Sequence, residues 1–316
     1  MRGVSEPRQP AGTAFAIRDP LAWSDLEAIV RAAEGAGYHA LFLPEITARD
    51  AFVTLGALAG VTRDLLLATG IVPMRSRTAL LTAMAAATVH ERAGGRSVLG
   101  IGTGGAGRGA LDELRDYVAD VRALLDGGTA DRKGRPVRLA LAPGPRVPIW
   151  LSALGPRAMR LAGEIADGVL LNWCTPERVA FARERLAEGA DVAGRDPAEV
   201  SVGVYVRSCV GDLDDDARLA LKAAAGDYAT LPAYARQLEQ VGMADLAAVA
   251  ADAFRAGRVA DVPDELVEAT CAVGEGAAER LEVYRAAGAD MVVVYPVAAG
   301  EVAASIEATL MALAPG

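Results

Sequence analysis

Hydrophobic and polar positions along this chain follow two rhythms. Short apolar blocks without internal alternation recur at 13–17 (TAFAI), 40–43 (ALFL), 65–69 (LLLAT), 97–101 (SVLGI), 147–151 (VPIWL), 168–171 (GVLL), 200–210 and 289–294. Glycine, proline or polar residues close most of them, as expected for strands buried on both faces. Between the blocks the apolar period lengthens to that of a helix. Leu26, Ile29, Val30 and Ala33 form one stripe, and Leu81, Met84, Ala85, Thr88 and Val89 form another, ended by Gly94-Gly95. Ser24-Asp25-Leu26-Glu27 has the form of a capping box for the first helix, with Asp19-Pro20 as an earlier start. Further helices are predicted over 51–61, 111–125, 156–166, 176–192 (behind the Thr175-Pro176 cap) and 277–287. A last helix carries Val302, Ile306, Leu310 and Leu313.

Strand, helix, strand at this spacing makes a βαβ unit with parallel strands. Eight such units predict an α/β chain folded as a (β/α)8 TIM barrel. The competing architecture is an open doubly wound sheet, but no GxGxxG opens the first helix and eight units close naturally. Residues 127–146 read as a polar excursion with a small strand pair. Residues 212–273 are Ala/Leu-rich and helical in pattern, an insertion between strand seven and its helix. The expected organisation is a flexible leader at 1–12 and one domain at 13–316, with the insertion as a lid over the face where the strands end.

Composition narrows the function. The 316 residues are 52% hydrophobic, enough for a large core, and no apolar run reaches the ~18 residues of a membrane span. The N-terminus lacks a signal-peptide core, so a cytoplasmic location is expected. A net charge of −9 argues against nucleic acid and anionic membrane as partners. The three cysteines, Cys174, Cys209 and Cys271, form no CxxC and read as reduced thiols. His39 and His90 precede or follow elements at the opposite face and read as packing or solvated residues. No His/Asp/Glu cluster fits a metal, and neither Lys133 nor Lys222 follows a strand. A barrel mouth this poor in reactive groups calls for an imported redox reagent.

Three stretches in order, TGIVP ending strand three, HERAGGRSVLGIGTG into strand four, and LGPRAMRLAGEIADGV, resemble the luciferase-like monooxygenase superfamily, whose members are TIM barrels that use a flavin or coenzyme F420. The resemblance covers most of the chain. It implies an oxidoreductase that passes a hydride between F420 and an organic small molecule. The alternatives are FMN with a two-component monooxygenase supplied by a flavin reductase partner, or a non-catalytic flavin-binding barrel. A homodimer is the expected assembly.

Carried onto this chain, the resemblance places a cis peptide at Gly70–Ile71, beside Val72, behind the cofactor ring. Gly102, Thr103 and Gly104 would let the cofactor approach the backbone. Ser152, Ala153, Leu154, Gly155 and Pro156 end a strand and open a helix, where free N–H groups and the helix dipole suit a phosphate. Asn172 would donate to phosphate or ribityl oxygens and Trp173 would pack beside the cofactor. Glu45 is the strand-end carboxylate, a candidate proton donor or a capping group; family members commonly follow it with His, where this chain has Ile46. Arg75 and Arg77 are candidates for an anionic group. Tyr228 and Tyr234, with Leu231 and Met243, would give the lid an apolar inner face. Arg75, Tyr228 and Tyr234 are thus the candidate substrate contacts, and Cys174 reads as a buried inert thiol.

Overall fold

The computed structural model describes residues 12–105, 107–141, 144–210 and 215–315; the leader expected at 1–12 lies outside them except for Gly12. Eight strands run in chain order, β1 (Gly12–Ala16), β2 (Ala40–Leu43), β3 (Leu66–Thr69), β4 (Ser97–Gly102), β5 (Ile149–Ser152), β6 (Gly168–Asn172), β7 (Ser201–Cys209) and β8 (Met291–Pro296). Each pairs in parallel with the next, and β8 returns to β1 with Thr13 opposite Val292, so the sheet closes into a barrel. Outside it lie α1 (Trp23–Gly35), α2 (Ala51–Leu58), α3 (Ala79–Arg92), α4 (Ala110–Leu125), α5 (Pro156–Ile165) and α6 (Pro176–Val192).

The excursion after α4 holds a two-residue antiparallel pair, Ala130–Asp131 with Pro136–Val137. Between β7 and the helix that leads into β8 lie α7 (Asp215–Ala229), α8 (Pro232–Glu239), α9 (Ala244–Arg255) and α10 (Asp264–Thr270). They are followed by α11 (Ala277–Ala286) and, after β8, by α12 (Val302–Ala312). The insertion is not free of strand: Cys271–Val273 adds to β7 in parallel, with Cys271 opposite Arg207. Three residues are too short to show a period in the sequence.

Two apolar layers hold the barrel. The interior is filled by side chains that alternate along the strands, including Ala14, Phe42, Ala68, Val98, Trp150, Leu170, Tyr205 and Val293. Trp150 fits because two neighbours lack side chains: a Cβ on Gly168 would lie 2.5 Å from its ring, and one on Gly203 2.6 Å. The opposite strand faces pack on the helices.

Three expectations are corrected. The first helix is capped at Ala22 without a side-chain bond, and Ser24 bonds its neighbour Asp25 inside the helix; Leu21 and Leu26 are buried, so packing sets the start rather than a capping box. In α3 the buried face is Thr82, Ala83, Ala86, Ala87, Val89 and His90, while Leu81 is 48% and Met84 51% exposed. The small side chains let α3 lie close to the strands, which leaves the bulkier apolar ones outside. Finally, no peptide bond among the described residues is cis, so Gly70–Ile71 is trans. A trans bond is the lower form by about 2.5–4 kcal/mol for a non-prolyl residue. In this form Gly70 N donates to the Leu43 carbonyl (2.7 Å) and Glu45 N to the Ile71 carbonyl (3.2 Å).

Candidate functional site

Strand alternation defines the mouth of the barrel. Counting two residues on from the interior cluster, the last inward positions are Gly70 on β3, Gly102 on β4, Ser152 on β5, Asn172 on β6, Arg207 on β7 and Tyr295 on β8. Contacts bear this out. A Cβ on Gly70 would lie 2.5 Å from Tyr205 Oη and 2.7 Å from the Pro44 backbone; one on Gly102 would lie 2.7 Å from Ser152 Oγ and 3.0 Å from Ile71 Cδ1. Thus the glycines at Gly70 and Gly102 let neighbouring groups pack tightly on this side of the mouth, while β6, β7 and β8 across from them carry long polar and aromatic groups. Gly70, Ile71, Gly102 and Ser152 are brought together as expected, with Val72 paired to Ile101 behind them.

The polar side is tightly connected. Arg207 donates to Asn172 Oδ1 at 2.7 Å, and Asn172 Nδ2 donates to Tyr234 Oη at 2.7 Å. A guanidinium has only donors, so this orientation of the amide is required. The Arg207 plane lies 3.8 Å from the Tyr295 ring centroid and 4.7 Å from that of Trp173. Tyr228 packs on Trp173 and on Tyr234, with centroids 5.1 and 4.8 Å apart. Burial first, then the neighbouring Tyr228, pushes the Tyr234 phenol up to about 12. Tyr205, whose hydroxyl has no partner, is raised well above its ordinary value by burial.

Trp173 takes φ 50°, the left-handed region that a bulky residue rarely adopts. Gln237 of α8 donates its amide to the carbonyls of both Asn172 and Trp173, which holds this turn and ties the insertion to β6. Above it a cleft of about 320 Å³ is bounded by Trp173, Arg207 and Tyr295 on the barrel side and by Tyr228, Ala224 and Phe254 on the insertion side.

The β5–α5 turn is a third element. Gly155 caps α5 in an extended conformation without a side-chain bond, Pro156 starts the helix, and a Cβ on Gly155 would meet no atom within 4 Å. The first-turn amides of α5 are therefore accessible from outside. Arg178, buried at the start of α6, donates to the Leu154 carbonyl at 2.6 Å and fixes the loop, while Ala153 is buried beneath it.

Glu45 ends β2 with both oxygens engaged. Arg77 Nε donates to Oε1 at 2.9 Å and its terminal nitrogen to Oε2 at 2.8 Å, and the Ala51 amide at the start of α2 donates to Oε2 at 3.0 Å. Arg77 also pairs with Asp50, and these carboxylates, Glu45 first, hold its guanidinium above its ordinary value. This cluster borders a separate open cleft of about 480 Å³ formed with the 46–50 loop. Arg75 pairs with Glu113 at 3.0 Å at the surface, beside Gly104 and Gly107, and does not border the aromatic cleft that holds Tyr228. Thr103 is half-buried just beyond β4. Burial pushes the Cys174 thiol up to about 12, as suits an inert group. Among the described residues no group of three His, Cys, Asp or Glu is placed to hold a metal ion.

Arg207 is the site residue that the sequence reading did not single out. Drawing strand seven through 210 pointed attention to Cys209, yet the period-two sequence Gly203, Tyr205, Arg207 marks Arg207 as the inward residue at the mouth.

Comparison with known proteins adds three findings. A family model described as luciferase-like monooxygenase matches residues 5–291. The 5,10-methylenetetrahydromethanopterin reductase of Methanolobus tindarius is 35% identical over 190 residues, which are 56% of this chain and 57% of that protein's own length. Among solved structures, the coenzyme F420-dependent tetrahydromethanopterin reductase of Methanopyrus kandleri superposes with a TM-score of 0.75 at 21% identity, over 94% of this chain and 96% of that one. The FMN-bound oxygenating component of 3,6-diketocamphane monooxygenase from Pseudomonas putida, a type II Baeyer–Villiger monooxygenase, gives 0.68 at 17% identity, over 96% and 97%. At these identities the structures speak for the barrel alone.

Proposed function

The chain belongs to the luciferase-like monooxygenase family, and from that premise we propose that it is an F420-dependent oxidoreductase acting on an organic small molecule. The observation that carries this reading is the asymmetry of the mouth. Buried Gly70 and Gly102 let β3, β4 and their neighbours close up on one side of the mouth, and on the other side Arg207 and Tyr295, with Asn172 bonded to Arg207, stand beneath the cleft under the insertion. Two features fit a phosphate-bearing tricyclic cofactor there: the unpartnered Tyr205 hydroxyl beside Gly70, and the open first turn of α5. F420 is favoured by a relative that spans most of the chain, a putative coenzyme F420-dependent oxidoreductase of Mycobacterium tuberculosis, 27% identical over 308 residues, 84% of this chain and 89% of that protein's length.

When bound, the deazaflavin would supply a two-electron hydride carrier. The chain's own part is placement and electrostatics. Gly70, Ile71, Val72, Gly102, Thr103 and Gly104 are the residues of the β3 and β4 ends that would lie along the ring. The Ser152–Pro156 turn and the first-turn N–H groups of Arg157 and Ala158 would face the phosphate, Pro156 itself having no N–H to give. Asn172 is oriented by Arg207 and Tyr234 and offers a fixed polar edge. The insertion, bound to β6 through Gln237, excludes water above the mouth, which favours hydride transfer over side reactions. Glu45, with both oxygens engaged by Arg77 and Ala51, holds the Pro44–Glu45 wall behind Gly70 and has a positioning role here. Exposed Val53, Leu81 and Met84 on the adjacent α2 and α3 support the homodimer.

Titration of the purified protein with F420 and FMN, each oxidised and reduced, tests the reading. Tighter binding of F420 is expected, with turnover independent of oxygen. Binding of neither cofactor would overturn it. Preferential binding of reduced FMN with oxygen uptake would establish the monooxygenase alternative.

A further inference from the structure

The most deeply placed charge at the mouth has no counterion of its own. Arg207 is 4% exposed, and among the described residues no carboxylate lies within ion-pair distance of it. Its one hydrogen bond is to a neutral amide, that of Asn172, and its remaining support is the faces of Tyr295, Trp173 and Tyr228. Removing a guanidinium from water without an anion is costly, and ring faces offset only part of that cost. Arg178, also deeply buried without a carboxylate among the described residues, bonds the Leu154 backbone carbonyl and fixes a loop, whereas Arg207 bonds only a side-chain amide. Arg207 instead borders the 320 Å³ cleft, with most of its five N–H donors unused by the protein.

The cleft's other walls describe what lies against that fork. Ala220, Ala223 and Ala224 of α7 and Phe254 of α9 are apolar, and the three alanines leave the volume open. Arg18, Asp19 and Asp227 also border it, but Arg18 and Asp227 are exposed and Asp19 is only half-buried, so water screens them at the rim. The single deep charge is matched by a monoanion, and the planar fork suits the two oxygens of a carboxylate.

We propose that this cleft binds an organic acid, its carboxylate on Arg207 and its apolar body against the alanine face of α7, and that such an acid is the enzyme's substrate. The second half rests on the oxidoreductase reading above; the binding site itself does not. Arg207 is then a recognition residue. Asn172 orients it through the hydrogen bond to Tyr234, and Gln237 holds the turn that carries Asn172.

The test is calorimetric titration of the full chain, with and without F420, using two matched pairs: phenylacetate with phenylacetamide, and hexanoate with hexanamide. Phenyl phosphate is the dianionic arm. In the wild type at least one acid is expected to bind about tenfold or more tightly than its amide, and more tightly than phenyl phosphate. Arg207→Met should abolish that preference and Arg207→Lys should keep part of it, with melting curves establishing that both fold. Because Arg207 also orients Asn172, F420 affinity is measured in the same variant and is expected to fall by less than the affinity for the acid does.

If neither acid outbinds its amide in the wild type, or if Arg207→Met retains the preference, the proposal is overturned. It also falls if Arg207→Met weakens F420 by about tenfold or more while acids bind as before, since the guanidinium would then serve the cofactor. An acid preference in a protein that binds no F420 would leave this site standing and remove the proposed function instead.

Discussion

Glu45 and Arg77 show how much the meaning of one residue depends on its partner. The sequence offers Glu45 as the lone carboxylate at a strand end near the mouth, and a free carboxylate there could move a proton. The structure gives it a two-point ion pair with Arg77, with both side chains largely buried, and an amide donor at the start of α2. Removing Arg77 would strand two carboxylates, Glu45 and Asp50, whereas Glu45→Gln keeps an oxygen for the Ala51 amide. Arg77→Met is therefore expected to lower the unfolding free energy by roughly 2–4 kcal/mol, and Glu45→Gln by about 1–2 kcal/mol. Urea unfolding of both variants checks the order; an equal or larger loss in Glu45→Gln would mean that the pair does not hold this wall. The partner was illegible beforehand because Arg77 lies 32 positions away, on the far side of the β3 turn.

Among elements, α3 and β4 are joined at the closed end of the barrel by His90, whose Nδ1 lies 2.8 Å from Ser97 Oγ. Burial holds this imidazole below its ordinary 6.5 and so keeps it neutral in the native state. As pH falls below about 6.5, the unfolded chain takes up a proton that the native chain refuses, so stability present at neutral pH is lost towards the folded-state value. The carboxylates held low by their partners, Glu34 and Asp50 among them, act in the lower carboxylate range and leave this window separate. Wild-type unfolding free energy should therefore fall between pH 7 and 5, by up to about 1.4 kcal/mol per pH unit, and His90→Gln should remove that slope. Equal slopes in the two proteins would contradict the assignment. The sequence places His90, which is buried, near the end of α3 and reads it as a packing or solvated residue. It misjudged the helix face, because an alanine-rich surface has no strong apolar stripe and the close approach of α3 to the sheet is a tertiary fact.

At the scale of the molecule, the eightfold repeat was legible because fully buried parallel strands write themselves as unbroken apolar blocks, and all eight were found. The glycines at the mouth were legible as strand ends, though their physical reason, the crowding of Gly70 by Tyr205 and Pro44 and of Gly102 by Ser152 and Ile71, is a tertiary one. The wall opposite them was half legible: Asn172, Trp173, Tyr228 and Tyr234 were expected and do converge, but Arg207 sits in a strand whose inward alternation was passed over. The cis bond expected at Gly70–Ile71 rests on family resemblance rather than on these residues, and the bond is trans. The central claim is that this barrel mouth carries F420, its phosphate on the first turn of α5. Gly155 adopts a conformation open to any residue and faces empty space, so Gly155→Val should fold normally and yet obstruct the amides. A lost charge-assisted hydrogen bond corresponds to about ten- to a hundredfold in affinity. Direct titration of F420 into wild type, Gly155→Val and the distant control Arg135→Ala is the most direct test. The account predicts at least a tenfold loss for Gly155→Val at an unchanged apo melting temperature, and none for Arg135→Ala; equal F420 affinity in all three would contradict it.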